Sequence, residues 1–469
     1  MPLCVDLDGT LLKTDMLMES LASAVKRSPW IVAALPFWLA RGRARLKREL
    51  AQRADIDVSV LPYDENVLAM LRRERSGGRR IVLATACDET LAARVAGHLG
   101  LFDEVVASDG VRNLKRGAKA RALVERYGEA GFDYVGGDRH DLPIWAHARE
   151  AHVVGADAAV ARRLATLGKP VHEIERSARR GRALARAIRA HQWAKNVLVF
   201  VPLVTAHVFL DPSSVAAAML AFVAFSLVAS AVYVANDLAD LQDDRRHPLK
   251  RHRAIAAGEL SIGTALALLP VLLLGATAIA ALLPWTFGAL LIAYVATNLA
   301  YSLVLKRVAL LDVFVLAGLY ALRILAGAAA IGVPVSDWLL AFSLFAFLSL
   351  ALAKRFVEVS AVAARDEARV GGRGYLAGDG ALLAMLGTAS GYLSVLVFAL
   401  YVTSPQVAIL YRAPGMLWFA CPLLLYWISR VWFLAHRGTL SEDPLVFALR
   451  DPASYVTGFL ILLVMVAAT

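Results

Sequence analysis

Two clusters of aspartates in this sequence have the composition and spacing to handle phosphate. The first, Asp6-Leu7-Asp8-Gly9-Thr10, directly follows a short apolar run, Leu3-Cys4-Val5. Two aspartates two positions apart at a strand's end point the same way, into the crevice where open α/β sheets bind ligands. Gly9 lets the backbone turn closely around a phosphate, and a carboxylate can act as a nucleophile that forms an aspartyl-phosphate. The second cluster runs from Asn236 to Asp244. On a helix, Asp237, Asp240 and Asp244 share one face by three- and four-residue steps. Three like charges on one face repel one another unless a cation neutralises them. Mg²⁺, held by carboxylates together with substrate phosphates, is the natural partner. Basic residues follow at once: Arg245, Arg246, His247, Lys250, Arg251 and Arg253. Acidic metal ligands beside such a cluster suit a diphosphate–Mg²⁺ substrate, and arginine binds phosphate oxygens bidentately.

The elements that carry these clusters differ in kind. The chain has 469 residues, of which 58% are hydrophobic, with mean hydropathy +0.57. That is too apolar for a soluble protein, but the apolar residues are unevenly spread. Residues 1–175 read as soluble α/β. Strands are expected at Leu3–Val5, Ile81–Ala84, Phe132–Val135 and Ala151–Val154, with helices at Glu89–Leu99 and Ala118–Tyr127. Such alternation argues for a parallel, doubly wound sheet. A helical insertion, about 14–78, interrupts it as a cap. Within it, Pro29–Ala40 is apolar and flanked by Lys26, Arg27, Arg41 and Arg43. A span needs about 20 apolar residues, so this piece reads either as a buried cap helix or as a basic-flanked segment in a membrane interface.

Residues 176–190 form a basic linker with Arg176, Arg179, Arg180, Arg182, Arg186 and Arg189. From 191 onward the chain reads as an all-α polytopic membrane bundle. Nine spans are expected, near 194–210, 214–236, 262–284, 286–305, 309–331, 336–353, 381–403, 416–435 and 454–468. With the N-terminus in the cytosol, the cytosolic loops hold Arg245, Arg246, Lys250, Arg251, Arg253, Lys306, Arg307, Lys354, Arg355, Arg365, Arg369, Arg373 and Arg437. The opposite loops hold Arg412. This asymmetry predicts a multi-pass protein of the inner membrane, with its N-terminal domain and both acidic clusters cytosolic and its C-terminus outside. The net charge of +11 therefore reads as orientation and phosphate binding rather than nucleic-acid binding. Three widely separated cysteines, Cys4, Cys87 and Cys421, give no disulfide framework. Met1–Val5 lacks the basic region of a signal peptide.

The DxDGT run after a strand resembles the first motif of the haloacid dehalogenase superfamily. By that resemblance Asp6 is the nucleophile and Asp8 the general acid/base. Thr85 matches the second motif and would hydrogen-bond the phosphoryl group, and Lys119, with Lys115 as competitor, is the charge-neutralising lysine. In the fourth motif, Val135-Gly136-Gly137-Asp138-Arg139-His140-Asp141, Asp141 fits the second acidic position, but Gly137 stands where the family has its first Asp. Asp6 and Asp141, with the Asp8 carbonyl, are the implied Mg²⁺ ligands. The departure at Gly137 also supports an alternative, a regulatory phosphate sensor.

The pattern NDxxDxxxD followed by YxxxxKxxxxxD, at Tyr301, Lys306 and Asp312, resembles the UbiA superfamily over roughly 185–469. Within it the segments look most like the phosphoribosyltransferases that act on decaprenyl phosphate. The similar pieces are Gln192–Asn196, the Asn236–Arg251 run, Arg253–Gly258, Arg323 with Ala326-Gly327, and Ala353–Glu358. The resemblance implies phosphoribosyl pyrophosphate as donor, a polyprenyl phosphate as acceptor, and Mg²⁺ on Asp237, Asp240 and Asp244. Lys195, Asn236, Lys250, Arg253, Tyr301, Lys306, Asp312, Arg323 and Lys354 are the candidate phosphate or substrate ligands. The N-terminal domain would then remove the 5-phosphate from the product. The alternatives are a prenyltransferase using a polyprenyl diphosphate, and a scaffold or transporter. Aromatic prenyltransferases carry a second DxxxD; here Leu316 follows Asp312 by four, which weakens the prenyl-diphosphate reading.

Overall fold

The computed structural model describes residues 1–155, 158–176, 180–365, 371–440, 444–448 and 450–469. Arg179 and Arg369 lie outside the described residues. By contacts the chain divides into two compact units: Met1–Ile188 with Tyr233–Leu269, and Arg189–Val232 with Pro270–Thr469.

The first unit is built on six parallel strands: β1 (Leu3–Val5), β2 (Ile81–Asp88), β3 (Glu104–Ser108), β4 (Asp133–Gly136), β5 (Ala151–Val154) and β6 (Val171–Ile174). Their order is β3-β2-β1-β4-β5-β6. The chain builds outward from β1 in one direction, then returns and builds in the other. The reversal puts a crevice at the C-terminal ends of β1 and β4, where Asp6 and Asp8 emerge. Alternate residues of β1 serve opposite faces. Leu3 and Val5 join a core with Met16, Leu71, Leu91 and Val95, and Cys4 joins one with Leu123, Phe132 and Trp145.

Between β1 and β2 lie helices α1 (Met16–Arg27), α2 (Ile31–Ala40), α3 (Arg43–Arg53) and α4 (Glu65–Ser76). The Asp15 carboxylate caps α1 by accepting the N–H groups of Leu17 and Met18. Helix α2 is not a buried cap helix. Ile31 is its single buried residue, while Trp30, Val32, Phe37 and Leu39 are exposed. The helices between the later strands are α5 (Glu89–Leu99), α6 (Gly117–Tyr127), α7 (Leu142–Trp145) and α8 (Ala158–Ala165), and α9 (Arg180–Ala187) follows β6.

The remaining helices are α10 (Val201–Thr205), α11 (Pro212–Ala239), α12 (Leu241–Arg246), α13 (Ile262–Ala280), α14 (Trp285–Leu303), α15 (Leu311–Ile331), α16 (Asp337–Ala363), α17 (Gly380–Val402), α18 (Val407–Leu410), α19 (Ala420–His436), α20 (Pro444–Ala448) and α21 (Pro452–Ala468). Among the described residues, seven helical segments are long and apolar enough to cross a membrane, those built on α11, α13, α14, α15, α16, α17 and α19. The first and last of the nine expected spans are not among these seven. The stretch 194–210 is not one helix: a 3₁₀ segment, Ala190–Phe200, gives way to α10, with Pro202 in its first turn. At the other end, α21 has 17 residues, or about 25 Å of helix. Helix α16 also runs ten residues past the expected limit of 353, to Ala363. Arg355, expected in a loop, is therefore inside that helix and buried.

Close backbone approach holds the 3₁₀ segment to α15. A Cβ placed on Gly327 would stand 2.0 Å from the carbonyl oxygen of Val199. Gly327→Ala should therefore destabilise the second unit by about 1–3 kcal/mol. Gly288→Ala on α14, where a Cβ meets nothing within 4 Å, should be neutral or mildly stabilising. Thermal unfolding in detergent checks the contrast, and equal effects would contradict it.

Candidate functional site

In the first unit, Asp6 and Asp8 leave β1 through a turn in which Gly9 has φ +73°, a conformation that favours glycine. The crevice above them is a cavity of about 160 Å³, lined by Asp6, Asp8, Asp15, Met16, Ser20, Lys47, Lys115, Lys119, His140 and Asp141 among others. Lys119 is buried on α6, its Nζ 2.7 Å from Asp6 Oδ1 and 3.0 Å from the Tyr134 hydroxyl. Burial alone would lower its pKa, but the charges of Asp6 and Asp141 outweigh that and hold it above the ordinary lysine value. Lys115 lines the cavity without entering this pair. Thr85 is fully buried and accepts the Cys87 N–H at 3.0 Å; its neighbours Ala86 and Cys87 face the cavity.

Asp141 is fixed by three donors. Its Oδ2 accepts the N–H groups of Gly137 and Asp138 at 3.1 Å each, and its Oδ1 accepts the Tyr134 hydroxyl at 2.9 Å. The structure gives a reason for the glycine in the fourth motif. A Cβ on Gly137 would lie 2.7 Å from the Gly9 carbonyl oxygen, so the backbone fills the space a side chain would need. The remaining carboxylates still crowd together. Burial, then the charges of Asp15 and Asp6, push Asp8 well above the usual carboxylate range. Burial, then Asp6, raises Asp141 to about 6. An all-oxygen set under like-charge repulsion is one that Mg²⁺ would relieve, so the carboxylates of Asp6 and Asp141, with the backbone carbonyl of Asp8, fit such an ion.

Lys47, on α3, is a cavity residue that the sequence analysis did not single out. It reaches the same cavity and donates to the Ala86 carbonyl and to Asn113 Oδ1. No local motif marks it, because the cap brings it there across the chain.

The second aspartate cluster also belongs to the first unit. The helix is broken at Asp240, between α11 and α12, where φ is −98° and ψ is 13°. The i to i−4 bonds nonetheless continue through the break, from Asp240 N to Asn236 O and from Asp244 N to Asp240 O. Buried Asp237 and Asp244 converge on Arg253, whose Nη1 lies 3.1 Å from the first and 2.6 Å from the second. Asp240 is half-buried at the break and acts on Asp244 through its charge. These oxygens already hold one cation and suit another. Lys250 is exposed in the following 3₁₀ turn.

The second unit gathers its own polar cluster. Asp312, at the start of α15, is fully buried and lies 2.5 Å from Arg355 Nε. Its other oxygen accepts the Tyr375 hydroxyl. The Tyr301 hydroxyl accepts from Arg355 at 3.1 Å and from Arg373 at 3.0 Å. Glu358 completes the group, paired with Arg355 and 3.3 Å from Arg373. Of these, the sequence singled out Tyr301 and Asp312 as ligands; Arg355, Glu358, Arg373 and Tyr375 are additions. Lys306 and Lys354 are half-buried nearby in sequence. Arg323 is placed elsewhere, buried on α15. Its nitrogens donate to Asn196, to the Leu319 carbonyl and to the Tyr294 hydroxyl. Lys195 is buried, its Nζ 6.0 Å from the Tyr320 ring centroid. An apolar cavity of about 730 Å³, lined by Val333, Trp338, Phe342, Phe398 and Tyr401 among others, lies beyond the opposite end of α15 from Asp312.

The raised value at Asp141 has a sign. A metal ligand must be deprotonated, and Asp141 takes up its proton near pH 6 rather than near 4. Mg²⁺ should therefore raise the melting temperature of the first unit less as pH falls from about 7.5 to about 5.5. The metal-free unit should gain stability over the same fall, since its folded state binds the proton more tightly. A Mg²⁺ effect that ignores pH in this window would contradict the assignment.

Comparison with known proteins places the C-terminal part of the chain in a family. The UbiA prenyltransferase family profile matches residues 197–451. An uncharacterized protein, y4nM, of Sinorhizobium fredii is 41% identical over 464 residues, covering 98% of this chain and 90% of that one. Nodulation protein NoeC of Azorhizobium caulinodans is 38% identical over 275 residues, 58% of this chain and 88% of that one. Decaprenyl-phosphate phosphoribosyltransferase of Mycolicibacterium smegmatis is 37% identical over 191 residues, 40% of this chain and 60% of that enzyme. With more than half of its length matched by the family profile, this chain belongs to the UbiA prenyltransferase family.

Proposed function

We propose that the chain transfers 5-phosphoribose from phosphoribosyl pyrophosphate to a polyprenyl phosphate, and that its first unit then removes the 5-phosphate. The observation that carries this reading is the pairing, in one compact unit, of a phosphatase-type constellation with the acidic loop of a UbiA chain. The similarity to decaprenyl-phosphate phosphoribosyltransferase supports the donor and acceptor.

In the transfer, Asp237, Asp240 and Asp244 would hold Mg²⁺ against the donor's pyrophosphate. Bound there, the ion neutralises charge on the departing group. Arg253 and Lys250 stand beside the aspartates to bind phosphate oxygens. Lys195, Asn236, Tyr301, Lys306, Asp312, Arg323 and Lys354 remain the further candidate ligands, of which Tyr301 and Asp312 are held by Arg355. An acceptor phosphate oxygen attacks the anomeric carbon. The bond to pyrophosphate breaks, and pyrophosphate leaves with the electron pair. The acceptor is already an anion, so no strong base is needed.

In the second reaction Lys119 holds one oxygen of Asp6, and the other attacks phosphorus. Asp8, kept protonated by burial and by its acidic neighbours, gives its proton to the departing 5-oxygen. It then takes a proton from the water that cleaves the aspartyl-phosphate. Thr85 would contribute to holding the phosphoryl group. Both reactions are assigned to the cytosolic face of the inner membrane, with the C-terminus outside.

Purified protein in detergent with Mg²⁺, polyprenyl phosphate and ribose-labelled phosphoribosyl pyrophosphate should yield a labelled lipid without its 5-phosphate. Asp237→Asn with Asp240→Asn should lower transfer by roughly 100-fold or more. Asp6→Asn should leave transfer intact and accumulate the 5-phosphorylated lipid. No labelled ribose lipid, with prenyl transfer from a polyprenyl diphosphate instead, would contradict the proposal.

A further inference from the structure

Helix α2 presents an apolar face with no partner from the first unit. Trp30 is 84% exposed, Phe37 57%, Val32 53% and Leu39 51%. Its other face, with Ile31, Leu35 and Trp38, packs on α1 and α3 through Leu17, Leu21, Ala24 and Leu50. Three large exposed apolar side chains on a ten-residue helix, with a fourth at its N-cap, are costly in water. At ten residues the helix is about 15 Å long, too short to cross a bilayer.

The surroundings say what covers this face. Arg41, at the C-terminal end of α2, lies over the Phe37 ring, 4.1 Å from its centroid. Arg41, Arg43 and Arg45 line one depression together with Asn113. An apolar patch bordered by a basic hollow matches acyl chains bordered by phosphate headgroups.

Chain connectivity brings a bilayer within reach. Lys26, five residues before α2, is 2.9 Å from Asp243, four residues beyond the end of the membrane-spanning helix α11. Five residues extend at most about 18 Å. From this we infer that α2 and its arginine hollow dock the first unit on an anionic lipid surface, with Trp30, Val32, Phe37 and Leu39 among the acyl chains and Arg41, Arg43 and Arg45 on headgroup phosphates.

The native cysteines Cys4, Cys87 and Cys421 are all buried, so a single engineered thiol can be labelled in the full chain. A fluorophore would be placed on Phe37→Cys in nanodiscs containing phosphatidylglycerol. A second sample would carry it on Glu125→Cys of α6, which packs on the opposite sheet face from the cap. Lipids bearing a nitroxide just below the headgroup should quench position 37 several-fold more than position 125. Charge reversal of Arg41, Arg43 and Arg45, or nanodiscs of phosphatidylcholine alone, should reduce that quenching. Equal access of a water-soluble quencher to both positions would overturn the inference. So would a position 37 shielded from water yet untouched by lipid nitroxide, because protein would then cover the face. Quenching unchanged by charge reversal would overturn the headgroup assignment.

Discussion

The first unit depends on one buried ion pair. Glu19 of α1 and Arg245 of α12 have side chains 1% and 2% exposed. Taking both charges out of water costs several kcal/mol each, so such a pair persists only when its hydrogen bonds are complete. Here they are well provided. Glu19 accepts from Arg245 at 2.6 and 3.0 Å and from the Thr14 hydroxyl at 2.7 Å, while Arg245 Nε donates to the Ala256 carbonyl at 3.0 Å. Around it, Met18 packs with Val234, Leu241, Ala254 and Ile255 in one apolar cluster. Exposed pairs, Lys26–Asp243 and Arg246–Asp57, add little energy of their own but repeat the same register.

That contact links two chemistries through a single helix. The N-terminus of α1 gives the Met16 N–H to Asp8 Oδ1 at 2.8 Å, and Glu19 follows one turn later. On the other side, Arg245 follows Asp244, which shares Arg253 with Asp237. A shift of α1 would therefore move Asp8 and the acidic loop together. The second unit follows the same rule with different residues. Arg355, 1% exposed, is tolerated inside α16 because Asp312, Glu358 and Tyr301 surround it.

Much of the fold was legible in the sequence. Short apolar runs such as Ile81–Ala84, punctuated by glycine and charge, announced the inner strands. The edge strands β3 and β6 were not legible, because Glu104–Ser108 is half-exposed and Val171–Ile174 carries His172 and Glu173. The break in the helix expected near 194–210 was not legible, because an apolar average hides Pro202 and a backbone bound closely to Gly327. Local site motifs were visible because their residues are a few positions apart. The pairs Glu19–Arg245 and Asp312–Arg355 were invisible, since partners 226 and 43 residues apart leave no periodic trace. Gly137 could be read as a departure from a motif, but its cause, the Gly9 carbonyl, needed coordinates.

The central claim is that the α/β fold carrying Asp6 and Asp8 and the acidic loop form one cooperative unit locked by Glu19 and Arg245. Hydrogen exchange of the full chain in detergent, comparing the parent with Glu19→Ala, tests this directly. The account predicts that protection falls together in 16–27 and in 241–260, since removing one partner leaves the other charge buried and alone. Protection lost in one segment while the other keeps its parental rate would contradict it.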